Sequence, residues 1–252
     1  MLAMSAIGCG VQAYETRLEE TNKYFKYREK IDNALEMRPF EDSGVVIRVP
    51  KGFKEIPGPG EEDNHDPRQP NFFRAPLPGL LAAWQKNAVE VDEGEDGVED
   101  RPAWIFLCTN HQRWLDKASD AKVEPQTFHT DIAGMLANDL SGYSADDVGS
   151  WEYHDERVPR QNETAYVPRK DYSWITLEDT MRMPENQQAE MEVMLTTYFQ
   201  GEIQMALICV APKHLARRDQ FYVPIKLCME TLKMTGDIPR PQSEGPQNGG
   251  GF

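Results

Sequence analysis

Apolar and polar positions alternate in ways that divide the chain into segments before any chemistry is considered. Residues 1–10 (MLAMSAIGCG) are small, apolar and uncharged. From Val11 to Met37 there is no proline, and Tyr14, Leu18, Tyr24, Phe25, Tyr27, Ile31 and Leu35 recur at three- and four-residue steps while charges fill the remaining positions. That spacing predicts a helix, which Pro39 stops. Val45–Val49 is β-branched and closes on Pro50-Lys51-Gly52, which predicts a strand and a turn. Pro57–Pro78 has proline, glycine and acids without a period and is expected to be a long surface loop. Leu77–Trp84 is apolar and fits a short helix or a strand, and an acidic loop follows it. Ala103–Cys108 is a continuous apolar run of the kind found in buried strands.

Farther along, Phe128, Ile132, Met135, Leu136 and Leu140 mark an amphipathic helix from near Pro125 to Ser141-Gly142. Strands are expected at Ser150–Val158, Thr164–Val167 and Tyr172–Leu177. Glu190–Val210 reads as a hairpin turning at Gln200-Gly201. Phe221, Ile225, Cys228 and Leu232 give a last helix, with Pro224 expected in its first turn, where proline is tolerated. No internal repeat is visible. This order of strands and helices specifies an α+β fold, an antiparallel sheet with helices packed against it. The segments are a leader at 1–9, a helix within 10–40 that is either a stalk or packed on the core, one domain at 41–236, and a disordered tail at 237–252.

Two resemblances add to this reading. The stretch Val45–Phe53 (VVIRVPKGF), a strand followed by proline, a small residue and an aromatic, is similar to the start of the PsbP-like superfamily. The hairpin-plus-helix Glu190–Met234 resembles the way that superfamily ends. The superfamily includes extrinsic photosystem proteins and a Ran-binding nuclear import factor. The resemblance implies an α+β sandwich with a binding or assembly role on a non-enzymatic scaffold, and it carries no site residue onto this chain. At the other end, Ala6-Ile7-Gly8-Cys9 resembles the lipobox of bacterial lipoproteins, in which the cysteine is acylated. Ala6 stands where leucine is usual, and a basic segment and most of an apolar segment are missing ahead of Cys9. Codons upstream of Met1 are expected to supply them. Cys9 is therefore the expected lipid attachment site.

Charge narrows the function classes. The chain has 252 residues with 42 acidic against 27 basic side chains, a net charge of −15. A surface that acidic repels nucleic-acid phosphates and anionic lipid heads. Hydrophobic residues make up 39%, enough for an ordinary core.

Candidate chemistry is sparse. The histidines, at 65, 111, 129, 154 and 214, have no metal-ligand spacing among them. His129 and Asp131 are two apart on a helix, so their side chains diverge. His111 follows the buried strand Ala103–Cys108, the kind of position from which active sites are built, and is the one catalytic candidate. In the acidic run Val89–Arg101, Asp92, Asp96 and Gly97 fit an EF-hand loop, but Gly94 and Ala103 stand where oxygen ligands belong, so a solvated loop is the better reading. There is no GxSxG, P-loop or GxGxxG. Cys108, Cys209 and Cys228 lie in apolar segments and read as buried, inert thiols, although Cys209 and Cys228 are placed where they could meet. The tryptophans at 84, 104, 114, 151 and 174 sit in several cases beside charges, as binding surfaces and cores both allow. No cofactor and no metal is expected. The function expected is that of a lipid-tethered extracytoplasmic binding or assembly factor with an unidentified protein partner. The alternatives are an enzyme with a site near His111, or a cytosolic adaptor without lipid.

Overall fold

A computed structural model describes residues 8–60, 65–92, 94, 97–117, 122–182 and 188–235. The expected leader ahead of Gly8, the tail at 237–252 and part of the acidic turn between Asp92 and Gly97 lie outside them. The elements run α1 (Gly8–Ala34), β1 (Phe40–Asp42), β2 (Val45–Ile47), β3 (Lys54–Ile56), β4 (Leu80–Asp92), β5 (Val98–Thr109), α2 (His111–Lys117), α3 (Phe128–Asp139), β6 (His154–Val158), β7 (Lys170–Arg182), β8 (Gln188–Gln200), β9 (Ile203–Pro212), α4 (Arg218–Thr231) and β10 (Lys233–Met234). The fold is α+β. A seven-stranded antiparallel sheet has the order β3-β4-β5-β9-β8-β7-β6, and a three-stranded one has the order β1-β2-β10.

The centre of the large sheet is buried on both sides, which is why Ala103–Cys108 in β5 and Met205–Ala211 in β9 read as unbroken apolar runs. Ile105, Leu107, Met205, Leu207 and Cys209 point to one face, where Tyr27, Ile31 and Leu35 of α1, Phe221, Ile225 and Cys228 of α4, and the small sheet cover them. Phe106, Cys108, Ile208, Val210 and Leu195 point to the other, under Phe128, Ile132 and Leu136 of α3 and the loop residues Phe73 and Leu77. The period of two in each strand distributes its side chains between these two cores.

Several local expectations are corrected. Of Leu77–Trp84, Leu80–Trp84 belong to strand β4, which runs on through the acidic stretch to pair with β5 as a long hairpin. Val89 and Val91 are buried while Glu90 and Asp92 are exposed, so the strand alternation was present among the acids. Thr164–Val167 is not a strand. Pro159 and Pro168 bracket it, and Glu20 of α1 takes its polar groups: the Glu20 carboxylate accepts from the Ala165 N–H at 2.9 Å and the Thr164 hydroxyl at 3.1 Å. Only His154–Val158 of the Ser150–Val158 segment is strand. The β8–β9 turn is Gly201-Glu202, one residue later than expected, with Gly201 at φ +63° in the first central position, where a tight hairpin needs a left-handed residue. Pro224 is the seventh residue of α4 and inside it, not in its first turn, so the helix forgoes the hydrogen bond a residue there would make to the Gln220 carbonyl.

Gly79 opens β4 at φ +59°, and a Cβ built there would lie 2.1 Å from the Thr109 carbonyl oxygen. The Gly79 carbonyl in turn accepts from the Thr109 N–H at 2.9 Å. Gly79→Ala is expected to lower stability by about 2–4 kcal/mol in urea unfolding, because backbone must move. Gly52→Ala, at φ +87° with only the flexible end of Lys86 nearby, is expected to cost about 1–2 kcal/mol.

Candidate functional site

Helix α1 changes character along its length. From Val11 to Glu19 every side chain is exposed, Tyr14 at 68% and Leu18 at 56% among them, whereas Tyr27, Ile31 and Leu35 are buried in the core. Its second half is pinned by a buried carboxylate. The Glu230 side chain, near the end of α4, has no exposure; it accepts from Arg160 Nη1 at 2.6 Å and from the Tyr27 hydroxyl at 2.8 Å. Arg160 also reaches Glu156 and Glu163, so one guanidinium ties α4, β6 and the following loop together, and Tyr27 joins α1 to them through Glu230. Burial pushes the Tyr27 hydroxyl well above its usual range, with the Glu230 charge adding to it.

Beside this clamp, between α1, the loop before β7 and the small sheet, lies a cleft of about 750 Å³. Tyr24 and Tyr166 form its mouth, edge to face at 6.2 Å. Ile31, Val46, Val167, Leu232 and Met234 supply apolar walls, and Arg28, Arg48, Arg169, Lys170 and Lys233 line it against the single carboxylate of Glu230. Lys170 is the deepest of these cations. Its Nζ donates to the carbonyls of Met229 (3.0 Å), Glu230 (2.9 Å) and Leu232, closing the C-terminal end of α4, and it stands 4.8 Å from the centre of the Tyr198 ring.

His111 begins α2 and lines a second cavity, of about 600 Å³, together with Ser43, His65, Asp66 and Thr109. Topology therefore brings His111 beside a carboxylate, but that carboxylate is occupied: both Asp66 oxygens accept from Arg68, at 2.7 and 3.0 Å. The Ser43 hydroxyl donates to Asp42 at 3.2 Å. Among the described residues no hydrogen bond joins the His111 ring to a nucleophile or an acid, and no three His, Cys, Asp or Glu side chains group as metal ligands. His129 is half-buried and its Nε2 lies 2.9 Å from the Met205 carbonyl oxygen, while Asp131 pairs with Arg113 at 2.5 Å. Cys108, Cys209 and Cys228 are buried free thiols, each pushed up by burial and so protonated at neutral pH. Cys9 falls within α1. Trp84 and Trp104 belong to the core, and the other tryptophans are half-buried. No described helix is long and apolar enough to cross a membrane.

Sequence reasoning missed the cleft. Its cations come from four separate places in the chain, and the signals present were the tyrosines of α1 and the run Arg169-Lys170.

No family model matches the chain, and no curated protein matches it. Solved structures do. The chain is similar to the Ran-binding protein Mog1p of Saccharomyces cerevisiae, with 14% identity over 80% of this chain and 97% of that one and a TM-score of 0.38. It is also similar to cyanobacterial PsbP (CyanoP) from Synechocystis, with 10% identity over 80% and 92% and a TM-score of 0.34. Its structural neighbours include both PsbP and Mog1. A third likeness is to a protein of Bacteroides thetaiotaomicron, with 9% identity over 79% of this chain and a TM-score of 0.35; the chain spans 49% of that protein's length.

Two outcomes follow from the clamp and from Lys170. Arg160→Met leaves the Glu230 carboxylate buried without its cation and is expected to cost about 3–5 kcal/mol, against about 1–2 kcal/mol for Tyr27→Phe, both read by chemical denaturation. Burial lowers Lys170 to about 8, although the Glu230 charge works in the opposite direction. Its folded value thus lies below its unfolded one, so between these the unfolded chain binds more protons and stability rises with pH. Relative to Lys170→Met, the wild type is expected to gain on the order of 1.5 kcal/mol between pH 8 and pH 9.5, measured as unfolding free energy at each pH.

Proposed function

We propose that the chain is a binding or assembly factor without catalytic activity, held at the outer side of a bacterial membrane by a lipid on Cys9. The single observation that carries this reading is the division of α1. Its second half is fastened to the domain by Tyr27, Ile31, Leu35 and the Glu230 clamp, and its first half, which starts at the Cys9 end, has only exposed side chains from Val11 to Glu19. The free part of this helix, from the Cys9 end to Glu19, is about 16 Å long at 1.5 Å per residue, so it can hold a domain off a bilayer surface as a short stalk. The tyrosine-lined cleft opens beside the fastened half, where a tethered partner is within reach. An amphipathic aromatic surface of this type suits protein recognition. Around His111, the acid is already committed to Arg68, which supports a binding role over catalysis.

The test is to express the native gene in a bacterial host, extract membranes with detergent and record the intact mass. A chain starting at Cys9 and carrying acyl mass is expected, with Cys9→Ser found in the soluble fraction. An unmodified chain that is soluble in both cases removes the tether and leaves a cytosolic adaptor.

A further inference from the structure

We infer that the cleft beside α1 binds an extended acidic peptide segment that also carries an aromatic or aliphatic side chain; this deepens the binding role proposed above and rests on it. Charge complementarity decides the occupant. The protein carries a net charge of −15, yet this cavity is lined by five cations and one carboxylate, and that carboxylate is already neutralised by Arg160. Three of the cations are engaged: Arg48 with Asp32 at 2.7 Å, Arg169 with Asp171 at 3.0 Å, and Lys170 with the α4 carbonyls.

The other two are not. Among the described residues, Arg28 hydrogen-bonds only to the Tyr24 hydroxyl, at 3.3 Å, with the Asp32 charge nearby but bonded to Arg48. Among the described residues Lys233 forms no salt bridge, and it is exposed. Arg28 belongs to α1 and Lys233 to β10, so they reach the cleft from two different elements. Two separated cations call for a ligand with negative charges spaced along it, as in an extended chain.

Between them the surface is aromatic and apolar. Tyr166 is 49% exposed and pairs with Tyr24, and the half-buried Val46 and Val167 add apolar surface to the lining. That surface suits one apolar side chain of the same segment. A basic segment is excluded by repulsion, and a bilayer headgroup offers charge without an apolar group at that depth.

The probe is an acetylated and amidated hexapeptide, Glu-Phe-Glu-Leu-Asp-Glu, titrated into the full chain and followed by calorimetry and by the tyrosine ring resonances. The expected result is saturable binding that shifts the rings of Tyr24, Tyr166 and Tyr198. It should weaken about tenfold in the Arg28→Gln/Lys233→Gln double variant and fall as salt is raised. Tyr166→Ala is expected to weaken binding similarly; all three side chains are exposed, so the variants keep the core, which a melting curve verifies. Equal binding by the hexapeptide with lysine at every acidic position overturns the inference, as does equal binding by the double variant. Phenylpropionate binding as tightly as the peptide would make the cleft a small-molecule site, and anionic vesicles displacing the peptide would make it a lipid site. Both of these outcomes also overturn it. Recording the acyl mass of the native chain alongside the titration separates the two readings: a native chain that is acylated but ignores the peptide sinks the cleft inference alone, and a native chain that carries no acyl group but binds the peptide sinks the tether alone.

Discussion

The centres of strands β5 and β9 are apolar on both faces, and everything else in the molecule is arranged to keep both faces from water. An antiparallel sheet with one wet face would alternate polar and apolar residues; here Trp104-Ile105-Phe106-Leu107 and Ala206-Leu207-Ile208-Cys209 leave no polar side to expose. Two covers are therefore required. The α3 helix with the Phe73–Leu77 loop provides one, and α1, α4 and the small sheet provide the other. Each large side chain removed from water contributes roughly 1.5–3 kcal/mol, so neither cover is optional.

The second cover is assembled from distant parts of the chain, and that is where the buried polar network lies. Pieces from residues 8–34, 45–47, 218–231 and 233–234 must meet with correct register. Apolar contact is poorly directional, whereas the Glu230 carboxylate accepts from Arg160 and Tyr27 in one geometry only. Lys170 fixes the neighbouring end of α4 by donating to three carbonyls. A second clamp, Glu192 with Arg218 at 2.6 Å and the Tyr222 hydroxyl at 2.6 Å, fixes the start of the same helix to β8. The cleft is the space left where α1 departs from this cover, so its shape depends on the clamp rather than on its own lining.

The surface has two electrostatic characters. Most of it is acidic, which keeps anionic polymers and bilayers at a distance. The cleft collects cations from α1, from the residue after β2, from the start of β7 and the residue before it, and from β10. A partner with an acidic segment would have to approach against the general field and be held locally, which favours short-range contact over long-range steering and ties recognition to this one place.

The sequence by itself determined the period of every long element. The three- and four-residue recurrence of Tyr27, Ile31 and Leu35, the two-sided apolar runs of β5 and β9, and Phe128–Leu136 are local patterns, and each fixes which atoms must leave water. Those patterns also fixed the α+β class. Val89 and Val91 were harder to recognise because acids surround them, and Thr164–Val167 was misleading because its apolar residues serve a loop whose polar groups Glu20 takes. Tertiary structure alone decided the candidate site. Whether half of α1 packs and half projects depends on what Glu230, some 200 positions away, can offer Tyr27. Arg28, Arg48, Lys170 and Lys233 have ordinary surroundings in the chain and become a site only when four elements converge. Periodicity is a property of neighbours in sequence. Charge complementarity across a cleft is a property of neighbours in space, and only folding makes those neighbours.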